Sequence, residues 1–442
     1  MERGGILCLL IHDSGEFWSF PEHRHQGPGE ANSWIRDRFD TEVSTLDVLR
    51  IPPDSTTPSY LFVHETHSAG AALPPGARWA PVSELTDVRC ASSRQRRLLG
   101  LWSAARHRRE GATWLPWRRP GWFAMATAWA AGELRGLGIE SIGPVEQDGF
   151  RAWSCQLRLP TTAGVVHLKA GPPPHAHEPA LTRLLADWCP GAVPSVLAVD
   201  AGRRLMLTAD FGPVRRPEGA DRIVSHFERV ARQAALIQRE SAARTEEITA
   251  TGCPAHRLDR LPCLFDDLIT QDSAELTREE SARLRRLVPG FARDCARLAL
   301  LGLPDTLVHH DLWRGNFRVD GDDVLLFDWA DTVLTHPFLQ LDVLLADLAD
   351  ALGSTRAHGR VRDSYLEAWA GHRPPEELRE GAALASAIAP VSRALLMGDR
   401  LSGAPSYIRT RYRGAVAAPL RACFAPGPRE RGHTPEPVTR GT

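Results

Sequence analysis

Residues 307–329 confine this chain to a small set of folds. Leu307-Val308-His309-His310-Asp311-Leu312-Trp313-Arg314-Gly315-Asn316-Phe317 contains His-x-Asp followed, four residues later, by Asn, and Leu325-Leu326-Phe327-Asp328-Trp329 comes next. Between them Val319-Asp320-Gly321-Asp322-Asp323-Val324 reads as a tight hairpin, an Asp-Gly turn flanked by apolar residues. A tight hairpin sets its strand ends side by side. Asn316 entering it and Asp328 leaving it would therefore offer two oxygen ligands to one point, which suits Mg²⁺, a hard cation taking few protein oxygens along with water and phosphate. Asp311, on the loop just before the Asn, is placed to accept a hydroxyl proton beside that point.

The second constraint is a single residue. Of 53 basic residues all but one are arginine, and the exception is Lys169, within Val165-Val166-His167-Leu168-Lys169. An ammonium is a compact point charge suited to gripping a phosphate oxygen, unlike the planar guanidinium. Gln156 to Pro160 and Gly164 to Ala170 read as strands joined by the turn Thr161-Thr162-Ala163-Gly164, which puts Lys169 at the far end of a hairpin strand.

Composition narrows the function classes. At 442 residues the chain has room for about two to three domains, each able to bury its own core. Apolar residues at 43% and charged residues at 24% are globular values, and a net charge of −1 argues against a nucleic-acid partner. Arg106-His107-Arg108-Arg109 and Arg118-Arg119 read as solvated linker charges. The 8 cysteines show no CxxC and no zinc-finger spacing, so free thiols and a reducing cytoplasm are expected. The apolar run Ile6 to Ile11 is too short for a signal core or a membrane span, so a soluble, unprocessed protein without a membrane partner is expected.

Residues 1–115 read as a small mixed α/β domain. Ile6 to His12 is a buried-strand candidate, Asp13-Ser14-Gly15 a turn and Phe17 to Phe20 a returning strand. Helical character follows at Ser33 to Phe39, a strand at Ser59 to His64, the segment Trp79-Ala80-Pro81-Val82-Ser83-Glu84-Leu85, and a helix near Ser93 to His107. This order resembles the Nudix hydrolase fold. That family's metal-binding helix carries a run of acids, whereas Gly29-Glu30-Ala31-Asn32-Ser33-Trp34-Ile35-Arg36-Asp37 has none, so the domain reads as non-catalytic, a docking or scaffold module. The stretch Ala112 to Gly121, rich in Pro, Gly and Trp, reads as the interdomain connection. Helices are expected at Trp122 to Leu137, Leu181 to Cys189, Ile223 to Ser241 and Arg278 to Leu300, with short strands at Pro194 to Val199 and Arg204 to Thr208. Residues 425–442 read as a disordered tail.

The paired motifs of 307–329 resemble the catalytic and metal-binding loops of the aminoglycoside phosphotransferase and choline kinase family, which has a protein-kinase-like fold. The resemblance covers about residues 116–424, with a small lobe over about 120–210 and a helical C-lobe over about 211–424. It implies an α+β chain, a two-lobed phosphotransferase preceded by a small mixed domain. Asp311 would then orient or deprotonate the acceptor hydroxyl, Asn316 and Asp328 would hold Mg²⁺, and Lys169 would engage the ATP α- and β-phosphates. Glu178, at the start of a helix, is the candidate ion-pair partner of Lys169, although Pro179 restrains it toward extended backbone. Asp331, His336, Pro337 and Asp342 fit the family's continuation, with Asp342 as a structural acid bracing the loop. His310 stands where the family often has Gly, and Trp313-Arg314 replaces a common His-Pro. No Gly-x-Gly-x-x-Gly loop is present. Between Val145 and Ser154 only Gly149 occurs, so Ser154 or nearby backbone N–H groups are left to cover the phosphates.

The function expected is ATP- and Mg²⁺-dependent phosphoryl transfer to a hydroxyl of a small molecule of aminoglycoside, choline or amino-alcohol type. The alternative is a catalytically silent kinase-fold module. A protein kinase is disfavoured because the chain after Asp328 has no room for a peptide-binding activation loop. Acids such as Asp266, Asp267, Asp347 and Asp350 could meet a cationic acceptor or be plain helix-face charges. His256 and His336 read as surface or packing residues, and His309 as a donor to backbone carbonyls that steadies the loop.

Overall fold

A computed structural model describes residues 2–3, 6–13, 18–19, 27–51, 59–67, 77–81, 93, 95–100, 114–271 and 275–424. Its internal contacts divide the chain into two compact units, one running to Pro172 and one beginning at Pro173.

In the first unit, β1 (Glu2–Arg3), β2 (Ile6–Asp13), β3 (Trp18–Ser19) and, further along, a strand at Ala77–Pro81 form an antiparallel sheet centred on β2. The expected β2–β3 hairpin is present, with His12 opposite Ser19 and Asp13 opposite Trp18. Ser14 and Gly15 of the expected turn lie outside the described residues. Helix α1 (Pro28–Phe39) starts earlier than periodicity suggested, because Pro28 takes a first-turn position where its missing N–H costs nothing. Ala31, Ile35 and Phe39 recur every fourth residue and are buried. Strand β4 (Val43–Ile51) pairs with β5 (Ser59–Thr66) and was not legible in the sequence. A bulge between Thr45 and Asp47 breaks the two-residue alternation by which a strand is recognised. Ala77–Pro81 is β6. Helical residues at 93 and 95–100 fall within the expected last helix of this region, whose remainder lies outside the described residues, as does the expected tail.

The connecting stretch is packed rather than loose. Trp114, Leu115 and Trp117 are buried, and Trp117 meets Trp122 edge to face at 6.4 Å. Arg118, read from sequence as a solvated linker charge, instead pairs with Asp47 at 3.1 Å and lies over the Phe150 ring. Helix α2 (Trp122–Gly136) buries Trp122, Ala126, Ala130 and Leu134. An antiparallel meander follows, made of β7 (Glu146–Phe150), β8 (Cys155–Thr161) and β9 (Gly164–Ala170). Cys155, Leu157 and Leu159 share its buried face with Val166, Leu168 and Ala170.

The second unit begins with α3 (Glu178–Trp188) and the hairpin β10 (Val196–Asp200) and β11 (Leu205–Ala209). It then becomes helical through α4 (Ala220–Ala242), α5 (Thr245–Ala250), α6 (Leu261–Thr270) and α7 (Arg278–Ala299). Thr277 and Glu280 close the start of α7 in a reciprocal capping box. Four short strands carry the site: β12 (Thr306–His309), β13 (Phe317–Asp320), β14 (Asp323–Leu326) and β15 (Thr332–Thr335). Beyond them run α8 (Gln340–Leu352), α9 (His358–Leu366), α10 (Pro375–Leu401), α11 (Ser406–Arg411) and α12 (Ala417–Arg421). Helix α10 is long and apolar enough to cross a membrane by composition, but 61% of its most apolar stretch is buried in the protein, as for a core helix. Six described cysteines are free thiols, and burial pushes Cys155, Cys253 and Cys295 up to about 12.

Candidate active site

The site is laid out by two antiparallel pairs. β12 runs beside β15 with His309 opposite Thr332, and all residues of both strands are buried. The His310 N–H continues that ladder to the Asp331 carbonyl at 2.8 Å, so the loop leaving β12 starts against the segment entering β15. The second pair, β13 and β14, is the hairpin expected from sequence, with Asp320 opposite Asp323. Its central residues are Gly321 and Asp322, and Gly321 has φ +51°, a glycine-first turn of the kind that matches strand twist. The ladder extends one step past the strands, where the Phe327 N–H donates to the Asn316 carbonyl at 3.0 Å. Asp328 thus leaves the hairpin one residue beyond the partner of Asn316.

Within this frame the Asn316 amide nitrogen donates to both the carbonyl and the carboxylate of Asp311, each at 2.8 Å. That fixes the amide, with its oxygen turned away from those two bonds. Asp328 occupies the left-handed region at φ 65°, ψ 60°, a strained conformation for a residue with a side chain and one found preferentially at functional positions. Burial and the negative charges of Asp331 and Asp328 hold the Asp311 carboxyl well above the ordinary carboxylate value, opposed by Arg400 and by the Asn316 bond. Asn316 and Asp328, at the two ends of the hairpin, carry oxygens of the kind a hard divalent cation takes. No cluster of three or more His, Cys, Asp or Glu forms a metal cage among the described residues.

His309 links the two loops. Its Nε2 donates to the Phe327 carbonyl at 3.0 Å and its Nδ1 accepts from the Asp311 N–H at 3.2 Å, which assigns the neutral Nε2–H tautomer. This is the steadying role expected from sequence. His310 is buried with Nε2 3.3 Å from the Ser392 hydroxyl, and burial with the nearby His256 and Arg393 brings it down to about 3, so it is neutral. His256 and His336 are both buried, as packing rather than surface residues.

Several parts were invisible to sequence reading. The Gln340 side chain pairs with both backbone groups of His309, accepting its N–H at 2.8 Å and donating to its carbonyl at 2.9 Å. A Gln at a helix start carries no signal of such a role. Asp342 pairs with Arg393 of α10 at 2.8 Å. Asp331 meets Arg400 at 2.9 Å and His175 at 3.4 Å. Burial, the largest influence, would raise Asp331, but the Arg400 guanidinium together with His175 and His309 outweighs it and holds the carboxyl well below the usual range. The departures at Trp313-Arg314 also find a reason. Arg314 donates its N–H to Asp347 at 2.6 Å and its guanidinium pairs with Asp347 and Asp350. Those two acids are therefore committed to the loop and not to a cationic acceptor, while Asp266 and Asp267 are exposed on α6.

Lys169 and Ser154 belong to the unit ending at Pro172; Glu178, Asp311, Asn316 and Asp328 belong to the other. Lys169 is half-buried on β9 opposite Gln156, on the more open face of the meander. Ser154 is buried and its carbonyl accepts the Arg151 N–H at 2.8 Å, closing the β7–β8 loop. Gly149 lies in the strand, where a Cβ would press on the Gln156 side chain, so it serves strand packing and the loop itself contains no glycine. Glu178 opens α3 and is buried despite the following proline, which the first helical turn tolerates.

Residues 176–384 match the family model described as the phosphotransferase enzyme family. The described residues combine helices with antiparallel sheets, an α+β architecture as the resemblance implied. Among solved structures, the chain is similar to a choline/ethanolamine kinase family protein from Mesorhizobium loti, at 16% identity over 68% of this chain and 96% of that one, TM-score 0.46. It is similar also to a choline kinase from Streptococcus pneumoniae, at 16% over 67% and 99%, TM-score 0.45. A macrolide 2'-phosphotransferase type I matches at 16% over 68% and 97%, TM-score 0.43. No curated protein sequence matches the chain.

Proposed function

We propose that the chain is an ATP- and Mg²⁺-dependent phosphotransferase acting on a hydroxyl of a small molecule of aminoglycoside, choline or amino-alcohol type, in the cytoplasm. The observation that carries this reading is the Asp311–Asn316 pair fixed one hairpin away from a strained Asp328. Asn316 and Asp328 would hold Mg²⁺, whose chemistry when bound is to neutralise phosphate charge. Asp311 orients the acceptor hydroxyl and takes its proton as the new O–P bond forms and the bond from the γ-phosphorus to the bridging oxygen breaks. Its proton affinity, raised by burial and by Asp331 and Asp328, suits an acceptor of protons once a cation offsets the neighbouring carboxylates. Lys169 grips the nucleotide phosphates with Glu178 as its partner, and Ser154 belongs to the loop over them. Free thiols at the described cysteines support a reducing compartment.

The test is an ATP-consumption screen of the full chain against aminoglycosides, choline-like amines, amino alcohols and nucleosides, with and without Mg²⁺. Asp311→Ala should lower kcat by about 10²–10⁴-fold while nucleotide affinity stays nearly intact. A variant keeping more than half the wild-type rate would remove Asp311 from the mechanism. Tight Mg²⁺-ATP binding with no turnover on any acceptor would favour the silent binding module instead.

A further inference from the structure

Strand β7 bears a polar side chain where an apolar one belongs. Gln147 stands opposite Leu157 on the buried face of the meander and is only 3% exposed. A buried amide is costly unless all its hydrogen bonds are met. One of those bonds runs from Nε2 to the Cys155 Sγ of β8 at 3.6 Å; the others come from the N-terminal module. Gln147 Oε1 accepts the Thr45 N–H at 2.7 Å and the Asn32 amide at 3.2 Å, and its Nε2 donates to the Thr45 carbonyl at 3.2 Å. Thr45 in turn donates its hydroxyl to Asn32 at 2.9 Å. The Gln147 amide thus treats Thr45 as a neighbouring strand would, at the bulge of β4. The first turn of α1 closes over the same spot, where Gly29 approaches the Gln147 carbonyl so closely that a Cβ would lie 3.1 Å from it.

A second clasp reaches the other end of β7. Asp47, across the β4 bulge from Thr45, holds Arg118, and Arg118 lies 5.7 Å from the centre of the Phe150 ring, the last residue before the β7–β8 loop. Within that loop Trp153 is buried and packs edge to face on Trp114 at 5.5 Å. Among the described residues β7 pairs only with β8, so it is an outer strand of the meander whose position depends on what covers its other side.

We propose that the N-terminal module is a built-in positioning element for the β7–β8 loop, and that Gln147 is the residue through which it acts. The inference rests on the reading that this loop covers the nucleotide phosphates. A glycine-rich loop reaches phosphate by backbone freedom. This loop has none, so its N–H groups must be preset by their surroundings to be useful on binding. The clasps at Gln147 and Phe150 supply that presetting, which gives the acid-poor module a role in phosphoryl transfer without chemistry of its own.

The experiment uses the full chain and compares Gln147→Met, which keeps the volume but removes the amide, with Asn32→Ala and with Glu146→Gln. Glu146 is the adjacent residue on β7, half-exposed and paired with Arg158, and serves as the control. Mg²⁺-ATP affinity is read from protection of Lys169 against an amine-reactive probe, and KM and kcat from turnover. Gln147→Met should raise Kd and KM for ATP about tenfold with kcat at saturation changed less than about twofold, and Asn32→Ala should raise them by a smaller factor. Glu146→Gln should match wild type. Unchanged ATP affinity in a folded Gln147→Met protein would overturn the inference; if that variant does not fold, unchanged affinity in Asn32→Ala would do so. Should wild type bind no ATP, the functional reading fails instead, and amide exchange of residues 151–155 then decides. Faster exchange in the variants supports the clasp, and unchanged exchange refutes it.

Discussion

Replacing Arg400 by methionine removes one charge from a buried pair and leaves the other in place. Asp331 and Arg400 are 8% and 15% exposed at their side chains and 2.9 Å apart. At that separation their attraction is about 6 kcal/mol at an effective dielectric near 20, before desolvation is subtracted. Removing one member of such a pair costs about 3–5 kcal/mol, because the remaining carboxylate is buried without its counter-charge. His175, 3.4 Å from the same carboxylate, offers partial replacement, which places the expected loss for Arg400→Met near 3 kcal/mol, the lower end of that range. The sign of the pH dependence follows from the direction of the shift. Asp331 is held below its unfolded value in the wild type, so its stabilisation is fully present above the ordinary carboxylate range and is lost as pH falls through the depressed folded value. In Arg400→Met burial dominates and the carboxyl rises. Protonation then relieves the variant first, so its deficit relative to wild type should shrink between about pH 7 and pH 4. Urea denaturation of wild type, Arg400→Met, Asp331→Asn and the double variant measures both the loss and the coupling. The double variant should be more stable than Arg400→Met. A loss below about 1 kcal/mol at neutral pH, within the range of exposed pairs, would show that the two charges do not depend on each other.

Two further outcomes follow from single residues. A Cβ at Gly315 would overlap the Trp313 indole, so Gly315→Ala should destabilise by about 1–3 kcal/mol in thermal or urea unfolding, and Trp313→Ala in the same chain should recover most of it. Lys169 is the only lysine, so amine labelling reports on it and on the α-amino group alone; saturating Mg²⁺-ATP should protect Lys169, and Lys169→Arg should impair turnover although the charge is kept. Unchanged labelling under saturating nucleotide would sever Lys169 from the phosphates.

What the sequence determined by itself is what short spacing encodes. The β13–β14 hairpin brings Asn316 next to the residue before Asp328 because an apolar pair of strands around Gly321 has essentially one tight closure. The strand alternation from Gly164 to Ala170 puts Lys169 on the open face, and the helices from 220 onward follow the helical apolar period. β4 escaped notice because its bulge shifts the alternation that would have revealed it. Only the tertiary structure decided the partners. Gln147 meets Thr45 across 102 residues, Arg400 meets Asp331 across 69, Arg314 meets Asp347 across 33 and Gln340 meets His309 across 31. None of these pairs leaves a periodic trace, since a Gln, Arg or Asp at a helix end or strand looks the same whether water or the protein interior satisfies it. Burial makes the difference: once packing removes water from an amide or a charge, its hydrogen bonds must be found within the fold, and which distant residue supplies them is fixed by the packing and not by the local order of residues.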